Sequence, residues 1–281
     1  MKNVQPYTVI FEDERIIAVN KASGISVGGD RWDDSLQRLD RLIAAAIHTP
    51  GADHGYAKIF TVHRIDQDTS GLVVFAKDGD THRLLSQAFE ERQVRKRYIA
   101  IVHGRPPWSE TSCDLALVPN GNKQHLTIID KFRGKKSLTC FRLLGSAGNY
   151  SILEALPQTG RTHQIRVHAA SLGFPIACDP LYGKDSRPGR TPPPVLLSSF
   201  KRNWRGDPLD EKPLLARLGL HAAELSLPTL GASIGGSAAC AVDTENAAPG
   251  ELRLSAPLPR DMAALIKQME KQADFSSGVL E

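Results

Sequence analysis

A short apolar run with a charged stretch directly before it constrains the fold of this chain more than any other feature. Leu72-Val73-Val74-Phe75 lies between Gly71 and Lys77, and its length and continuity are typical of a strand covered on both faces. Thr69-Ser70-Gly71 has the chemistry of a tight turn. We therefore expect a central strand, with Asp66 at the rim of a sheet, where a rigid element can hold its carboxylate at a cleft.

The rest of the chain alternates short β-branched runs with helical stripes. This mixture predicts an α+β fold with a mixed, largely antiparallel central sheet, helices packed on its faces and a basic cleft across the middle. Further strands are expected at Thr8–Phe11, Ile16–Asn20, Val94–Val102, Leu126–Ile129, Leu138–Leu144, Tyr150–Leu156 and Leu220–Leu227.

Four segments carry the spacing of apolar residues that is typical of helices. The first covers Ser35–His48, and the third follows Gly160 and ends near Gly173. The second carries Leu84, Leu85, Ala88 and Phe89 and is predicted to be capped by Asp80 or Thr81. The fourth, with Met262, Leu265, Ile266 and Met269, is expected to dock through that stripe.

Length and segment composition restrict the domain organisation. The 281 residues, 41% of them hydrophobic, are enough for one large domain or two fused lobes. No obvious linker divides the chain, so we treat 1–281 as a single domain that can form two sub-lobes around the cleft. Arg187–Pro194 is expected to be an exposed loop, and Gly231–Gly250 a long hairpin connection.

Composition excludes several classes of protein. No apolar run reaches the roughly 20 residues that span a bilayer, and the first six residues lack the apolar stretch of a signal peptide, which favours the cytoplasm. The cysteines, which we expect to be free thiols, form no Cys-x-x-Cys pair: Cys113, Cys140, Cys178 and Cys240. A net charge of +4 gives a mild preference for a polyanionic partner.

The charged stretch before the central strand reads His63-Arg64-Ile65-Asp66-Gln67-Asp68-Thr69-Ser70-Gly71-Leu72. If it is extended, Arg64 and Asp66 project to the same side. A structural ion pair between these two residues explains the stretch as well as a functional site does. Taken alone, this string favours the structural interpretation.

A second string changes this balance. Gly160-Arg161-Thr162-His163-Gln164-Ile165-Arg166-Val167-His168 is expected to lead from a turn into an amphipathic helix with a basic polar face. Arginines beside helix-end amides can bind phosphates, and an arginine can hold a catalytic carboxylate through a bidentate contact. The alternative is a solvated basic helix. His163 and His168 lie five residues apart and make a poor metal pair.

A third string, Gln93-Val94-Arg95-Lys96-Arg97-Tyr98-Ile99-Ala100, places basic groups beside an aromatic ring. Single-stranded nucleic-acid sites use this combination, so Tyr98 is a candidate to stack on a base. The commoner role of a strand tyrosine is that of a core aromatic.

Together the three strings resemble the RluA family of pseudouridine synthases, whose hallmark is His-Arg-Leu-Asp, two variable residues, then Thr-Ser-Gly. Further matches are Asn20-Lys21 with Ser23-Gly24, and Asp179-Pro180-Leu181-Tyr182-Gly183. The matches keep their order from about Tyr7 to the final helix, which makes them far more specific than any single motif. Ile65 replaces the family's leucine, and Ala22 stands where many relatives have proline.

The resemblance implies an RNA isomerase that extrudes chosen uridines and converts them to pseudouridine without a cofactor or a metal. Asp66 would be the catalytic carboxylate, Tyr98 would pack against the target base, and Arg166 would position Asp66 and keep it ionised. Arg64 would fill the stack that the extruded base leaves. Other implied contacts to substrate or RNA are His63, Thr69, Lys96, Arg97, Arg161, Thr162, His163 and Gln164.

The resemblance also implies the partner, which would be structured RNA, either ribosomal or transfer RNA. No membrane or obligate protein partner is expected, and a monomer is the default. The family often carries an additional N-terminal RNA-binding domain. We expect this chain to resemble the members that lack it, because its motifs begin near the first residue.

Two other functions remain open from the residues alone. A hydrolytic N-glycosylase would also flip a base, would use Asp66 with Asp68, and would release free uracil. A non-catalytic RNA-binding protein would leave Asp66 as a structural residue. Nucleotide binding of the Walker type is excluded, since Gly134-Lys135-Lys136-Ser137 lacks the spacing. Whether the carboxylate acts as a nucleophile or as a base stays open.

Overall fold

The computed structural model describes residues 5–29, 37–47, 58–121, 126–184, 191–201, 204–207, 209–229 and 250–273. The chain divides into two compact units. The first comprises Met1–Lys96 and Ala222–Pro257, and the second comprises Arg97–His221 and Leu258–Glu281.

The first unit is built on antiparallel strands around the predicted central strand. Strands β1 (Tyr7–Glu12) and β2 (Ile16–Lys21) form a hairpin, and β2 pairs antiparallel with β4 (Ser70–Ala76). The short β3 (Phe60–Thr61) also pairs with β4. All seven residues of β4 are buried, which confirms the strand predicted over Leu72–Phe75.

Strand β11 (Leu220–Pro228) lies on the other side of β4 and pairs antiparallel with β12 (Glu251–Ser255). The backbone of Gly71 approaches β11 so closely that a Cβ atom would lie 2.2 Å from the Ala222 carbonyl oxygen, and its φ is +117°. Gly71 is therefore part of a strand. The predicted turn over Thr69–Gly71 is wrong by about two residues, because the turn lies at Gln67–Asp68.

Helices α1 (Leu39–Ala46) and α2 (Gly79–Glu90) belong to the first unit. The predicted cap of α2 is wrong, because the Asp78 carboxylate accepts the hydrogen bond from the Thr81 backbone amide at 2.8 Å. Leu85 and Ala88 are buried as expected, whereas Leu84 is exposed. Part of the helix predicted over Ser35–His48 lies outside the described residues.

The second unit contains antiparallel strands in the order β5 (Arg95–His103), β10 (Tyr150–Pro157), β9 (Thr139–Ala147) and β6 (Glu110–Cys113). A separate two-stranded ribbon joins β7 (Leu117–Val118) to β8 (Ile128–Ile129). The predicted strands 94–102, 138–144 and 150–156 are confirmed to within a few residues, and the one over 126–129 shortens to two.

Each unit has its own apolar core. In the first, Leu72, Val74 and Leu85 pack with Leu225 and Leu254. In the second, residues of β5, β9 and β10 pack with Ile165 and Ala169. The antiparallel pairing and the helices of both units confirm the α+β class and the largely antiparallel sheet. The single catalytic domain over 1–281 stays a prediction.

Helices α3 (Gln164–Ser171) and α4 (Arg260–Ala273) complete the second unit. The docking stripe of α4 is confirmed, because Met262, Leu265, Ile266 and Met269 are all fully buried. Helix α3 differs from the amphipathic helix that we predicted, since the six residues Gln164–Ala169 are all buried. The alternative of a solvated basic helix is therefore wrong.

The remaining expectations concern thiols, loops and membrane spans. Cys113, Cys140 and Cys178 are free, while Cys240 and most of Gly231–Gly250 lie outside the described residues. Four residues of the predicted loop Arg187–Pro194 are described and lie outside helices and strands. None of the described helices is long and apolar enough to cross a bilayer.

Candidate active site

Asp66 lies in the first unit, in a loop that ends where β4 begins. The Thr69 backbone amide donates a hydrogen bond to the Asp66 carbonyl oxygen at 3.2 Å, which closes the turn through Gln67 and Asp68. Asp66 is partly buried and Arg64 is exposed. Asp66 is thus held on a folded turn next to a rigid strand, as predicted.

Lys21, at the end of β2, anchors this loop through hydrogen bonds from its side chain. Its side chain is fully buried, and its ammonium donates hydrogen bonds to the carbonyl oxygens of Gln67 (2.8 Å), Ile25 (2.8 Å) and Ala22 (2.9 Å). Hydrogen bonds from a charged donor are about twice as strong as neutral ones. A single cation therefore ties the Asp66 loop to the neighbouring loop over 22–25.

Two further contacts reinforce the connection between these loops. The Ser23 hydroxyl donates to the Asp68 carbonyl oxygen at 2.7 Å, and the Gly24 amide donates to the Gln67 carbonyl oxygen at 2.9 Å. The backbone at Gln67 and Asp68, directly after Asp66, is thereby fixed from one side. Such fixation is what a carboxylate with a defined target requires.

His63 is directed toward the protein by its contacts. Its Nε2 accepts a hydrogen bond from the Val74 backbone amide at 3.0 Å, and its ring stacks on Phe89 at 4.7 Å between centroids. Burial, with the nearby charge of Lys96, lowers the pKa of His63 to about 3. The imidazole is therefore neutral, and it links the stretch before Asp66 to the middle of β4.

Lys96 and Thr69 have unusual environments in the first unit. Burial, and then the charge of Arg92, lowers the pKa of Lys96. The Thr69 side chain is 1% exposed, and its hydroxyl has no hydrogen-bond partner among the described residues. An unsatisfied buried hydroxyl costs about 1–3 kcal/mol, so a bound water or substrate group would stabilise this position.

Arg166 and Asp179 form a buried bidentate ion pair in the second unit. Arg166 Nε lies 2.9 Å from Asp179 Oδ2, and Arg166 Nη2 lies 2.8 Å from Asp179 Oδ1. The two side chains are 2% and 0% exposed. Burial alone would raise the pKa of Asp179, but the hydrogen bonds and charge of Arg166 and two backbone amides hold this pKa below its ordinary value.

Tyr182 and His163 extend this ion pair into a network. The ring of Tyr182 lies 5.3 Å from the Arg166 guanidinium carbon, and its hydroxyl is 2.9 Å from His163 Nδ1. The same hydroxyl accepts a hydrogen bond from the Thr127 amide at 2.9 Å. Asp179 also accepts hydrogen bonds from the backbone amides of Leu181 and Tyr182. The same carboxylate therefore stabilises the turn of this segment and orients Arg166.

Gln164 and His168 are structural residues of α3. The Gln164 amide oxygen accepts from the Arg161 backbone amide at 3.0 Å, and its nitrogen donates to the Leu138 carbonyl oxygen at 2.9 Å. His168 is fully buried against Thr139, and burial lowers its pKa. Gln164 thus holds the turn that carries Arg161, which is partly buried, and Thr162, which is exposed.

Tyr98 and Arg97 occupy the beginning of β5. Tyr98 is partly buried and packs on the core of the second unit, opposite Ala155 of β10. Arg97 Nε forms an ion pair of 2.5 Å with the buried carboxylate of Glu154, which also pairs with Arg142. A cross-strand ion pair therefore fixes the direction of the residue next to Tyr98.

The predicted site residues fall into two groups. The first unit carries His63, Arg64, Asp66, Thr69 and Lys96, and the second carries Arg97, Tyr98, Arg161, Thr162, His163, Gln164 and Arg166. Among the described residues, no cluster of three or more His, Cys, Asp or Glu is arranged to hold a metal ion.

Sequence reasoning missed the roles of Lys21, Asp179 and Tyr182, although all three lie in motifs that matched the family. The sequence feature that could have identified them is a charged or polar residue at the end of an apolar strand or in a short motif. The pattern gave no indication of the partner of either charged residue. Asp179 lies 13 positions after the arginine it holds, and Lys21 binds carbonyl groups that every residue has.

Known proteins are similar to this chain over much of its length. A model of the family described as RNA pseudouridylate synthase matches residues 15–171, which is more than half of the chain. The ribosomal large subunit pseudouridine synthase D of Zymomonas mobilis subsp. mobilis is 36% identical over 185 residues, which make up 65% of this chain and 57% of that protein.

A second relative matches over more of the chain. The ribosomal large subunit pseudouridine synthase D of Neisseria meningitidis serogroup B is 30% identical over 276 residues, covering 96% of this chain and 63% of its own length. The chain thus spans less than two thirds of either relative.

A solved structure shows the same fold. Human RNA Pseudouridylate Synthase Domain Containing 4 superimposes with a TM-score of 0.66 at 23% identity, covering 93% of this chain and 92% of that chain. The resemblance to RluA enzymes seen in the motifs is confirmed, and the chain belongs to the RNA pseudouridylate synthase family.

Proposed function

We propose that this protein isomerises uridines in RNA to pseudouridine, with Asp66 as the catalytic carboxylate. The observation that carries the proposal is the family match over residues 15–171, which includes the fastened Asp66 loop, Tyr98 and Arg166. The reaction breaks the bond between N1 of uracil and C1′ of the ribose and forms a bond from C5 to C1′. C5 loses a proton and N1 gains one, so nothing is added or lost.

Asp66 serves this reaction in either of two ways. Its carboxylate attacks the nucleotide, or it removes a proton from the sugar. Both routes require a carboxylate held in one position, and the contacts of Lys21, Ser23 and Gly24 with the adjoining backbone supply that constraint. In the proposed enzyme, Arg166 positions Asp66, and the buried Asp179 orients Arg166.

The target base must leave its stack, at a cost of a few kcal/mol. We propose that Tyr98 packs against the extruded base and that Arg64, which is exposed, fills the gap in the RNA. Thr69 is suited to hydrogen-bond with the bound nucleotide or an ordered water, because its buried hydroxyl has no partner among the described residues. Exposed Thr162 and partly buried Arg161 are candidates for phosphate contacts.

We propose ribosomal RNA as the substrate, because the two relatives are named for the large ribosomal subunit. Transfer RNA is the alternative. Incubation of the purified protein with transcripts of each RNA, followed by digestion and chromatographic separation of the nucleosides, separates these outcomes, since uridine and pseudouridine have the same mass. We expect the amount of pseudouridine to rise as the amount of uridine falls, and we expect no free uracil.

The same assay tests the two rival functions. Free uracil in amounts equal to the uridine lost would identify a hydrolytic glycosylase and overturn the proposal. RNA that is bound tightly but unchanged in composition would favour a non-catalytic RNA-binding protein.

A further inference from the structure

An exposed phenylalanine lies on a basic turn of the second unit that the proposed catalytic machinery does not use. Phe132 is 98% exposed, in the turn that follows β8. Buried or half-buried aromatic rings are usual in folded proteins, because a ring of this size gains much from leaving water. Full exposure of this ring therefore requires an explanation.

The turn holds Phe132 outward by a defined set of hydrogen bonds. The Asp130 carboxylate accepts from the backbone amides of Phe132 (2.9 Å) and Arg133 (3.0 Å) and from Arg133 Nε (2.7 Å). The Gly134 amide donates to the Asp130 carbonyl oxygen at 2.9 Å, and a Cβ atom at Gly134 would lie 2.3 Å from that oxygen. The chain is therefore folded tightly around Asp130, with the ring at the tip.

Both ends of the turn are fixed to β7. The Asp130 amide donates to the Ala116 carbonyl oxygen at 3.0 Å, and Lys135 exchanges two backbone hydrogen bonds with Leu117, at 2.9 and 3.0 Å. The ring is thus presented from a supported position, which lowers the entropy lost when a partner binds to it.

The charges around Phe132 indicate what it binds. Between 130 and 136 the sequence carries four cations and one carboxylate, and that carboxylate is paired with Arg133. Lys131, Arg133, Lys135 and Lys136 are all exposed. An aromatic ring among cations is the arrangement that single-stranded nucleic-acid sites use, with the ring stacking on a base and the cations near the phosphates.

The turn is also connected to a predicted phosphate contact. Arg161 Nε donates a hydrogen bond to the Lys136 carbonyl oxygen at 3.3 Å, so the end of the basic turn adjoins the motif that contains Arg161 and Thr162. Both belong to the second unit. The basic surface of the turn therefore continues into the strand-to-helix region already proposed to contact RNA.

We infer that Phe132 is a stacking platform for an unpaired base of the substrate RNA, at a position other than the modified uridine. The inference rests on the proposed function, since RNA is the substrate assigned there. The cations of the turn bind the phosphates on either side of the stacked base. This contact would add affinity for single-stranded or looped segments without selecting their sequence.

A second turn of the same unit provides a matched control. Leu209 is 96% exposed, and its amide donates to the Asp207 carboxylate at 2.9 Å, as the Phe132 amide does to Asp130. The charges there are reversed, with three carboxylates and two cations between 205 and 212. Leu209→Ala therefore also removes an exposed apolar side chain from a turn, but it does so outside the basic surface.

The test measures binding of a fluorescent single-stranded oligouridine longer than the roughly 16 nucleotides that one binding fold covers. Phe132→Ala is expected to weaken binding about 5- to 100-fold, because base stacking on an aromatic ring has this magnitude. Phe132→Trp is expected to bind as the wild type or more tightly, and Leu209→Ala as the wild type. Both alanine variants should unfold at the wild-type temperature, since neither side chain is packed.

Salt dependence separates stacking from charge. Phe132→Ala removes no cation, so the slope of log affinity against log salt should stay unchanged, whereas Lys135→Gln should reduce it by about 0.7. Unchanged binding of Phe132→Ala, or equal weakening by Leu209→Ala, overturns the inference. Loss of binding to an acidic peptide, with oligouridine binding intact, also overturns it, in favour of a protein partner.

Pseudouridine formation in the same preparations keeps the two proposals distinct. If the wild type forms pseudouridine and Phe132→Ala binds RNA equally well, only the stacking platform is wrong. If the wild type forms none, the proposed function itself fails.

Discussion

The two units hold their predicted catalytic side chains by different means. In the first unit, a buried cation, Lys21, binds three neutral carbonyl oxygens and so fixes the backbone next to Asp66. In the second, a buried anion, Asp179, binds the guanidinium of Arg166 directly through two parallel hydrogen bonds. The first arrangement fixes a loop and leaves its carboxylate partly accessible, whereas the second fixes the predicted catalytic side chain itself.

This difference predicts unequal consequences when each anchor is removed. Without Asp179, a full charge on Arg166 would stay buried. Without Lys21, three carbonyl oxygens would lose a donor, and the cost of burying the ammonium would disappear with it. Charges are more costly to leave unpaired than dipoles, so the second unit should be the more sensitive of the two.

The largest effect on stability is therefore expected for Asp179→Asn. It should lower the free energy of unfolding by about 3–5 kcal/mol, because it removes the carboxylate from a fully buried, bidentate ion pair. Urea unfolding measures this loss. The matched control is Asp261→Asn, because Asp261 also binds Arg217 through two hydrogen bonds, of 2.7 and 2.8 Å, but is 34% exposed. That partly exposed pair should contribute less than the fully buried one, about 1 kcal/mol, and equal losses would contradict the comparison.

A smaller effect is expected for Lys21→Met in the first unit. Methionine fills a similar volume without a charge, so the loss should be about 1–3 kcal/mol, from the carbonyl oxygens that lose their donor. Lys77→Met is the control, since Lys77 also donates to a backbone carbonyl but is 23% exposed. If the Lys21 variant loses more stability than Asp179→Asn, the ranking of the two anchors is wrong.

At neutral pH the smallest effect is expected for His63, whose contribution to the free energy of unfolding changes only in acid. The pKa of His63 is lowered from 6.5 to about 3 by burial and the charge of Lys96. The unfolded chain therefore takes up this proton more readily than the folded one. Protonation of His63 therefore costs no stability above about pH 6.5, and it lowers the free energy of unfolding increasingly as the pH falls toward 3. His63→Gln should flatten this dependence, which urea titrations at several pH values would reveal.

The second unit offers the same test at His168, whose pKa is also lowered by burial. His168→Gln is expected to change the pH dependence in the same direction. A His63 variant that keeps the wild-type slope between pH 6.5 and 3, or a His168 variant that keeps it below pH 6.5, would show that the imidazole does not link folding to protonation.

The sequence predicted those features whose cause lies within a few neighbouring residues. The continuous apolar run 72–75 predicted a strand, and the spacing of four apolar residues in α4 predicted a buried helix face. Both predictions are confirmed. The cap of α2 was misplaced because Asp78, Asp80 and Thr81 are all good capping residues, and only the backbone geometry selects Asp78.

Features that depend on distant segments could not be predicted in this way. Gly71 resembled a turn residue, yet it is needed because Ala222 approaches it from a strand about 150 positions later. Helix α3 resembled a solvated basic helix because its sequence does not reveal that Asp179 neutralises Arg166. The motifs identified the candidate residues, and the fold supplied their partners.

The measurement that most directly tests the central claim compares two carboxylates of the same loop. Pseudouridine formation under single-turnover conditions should fall by at least about 10³-fold in Asp66→Asn, while RNA binding stays within a fewfold of the wild type. Asp68→Asn, which changes a partly buried acid two positions later, should keep near-normal activity. Pseudouridine formed by Asp66→Asn at the wild-type rate would contradict the account.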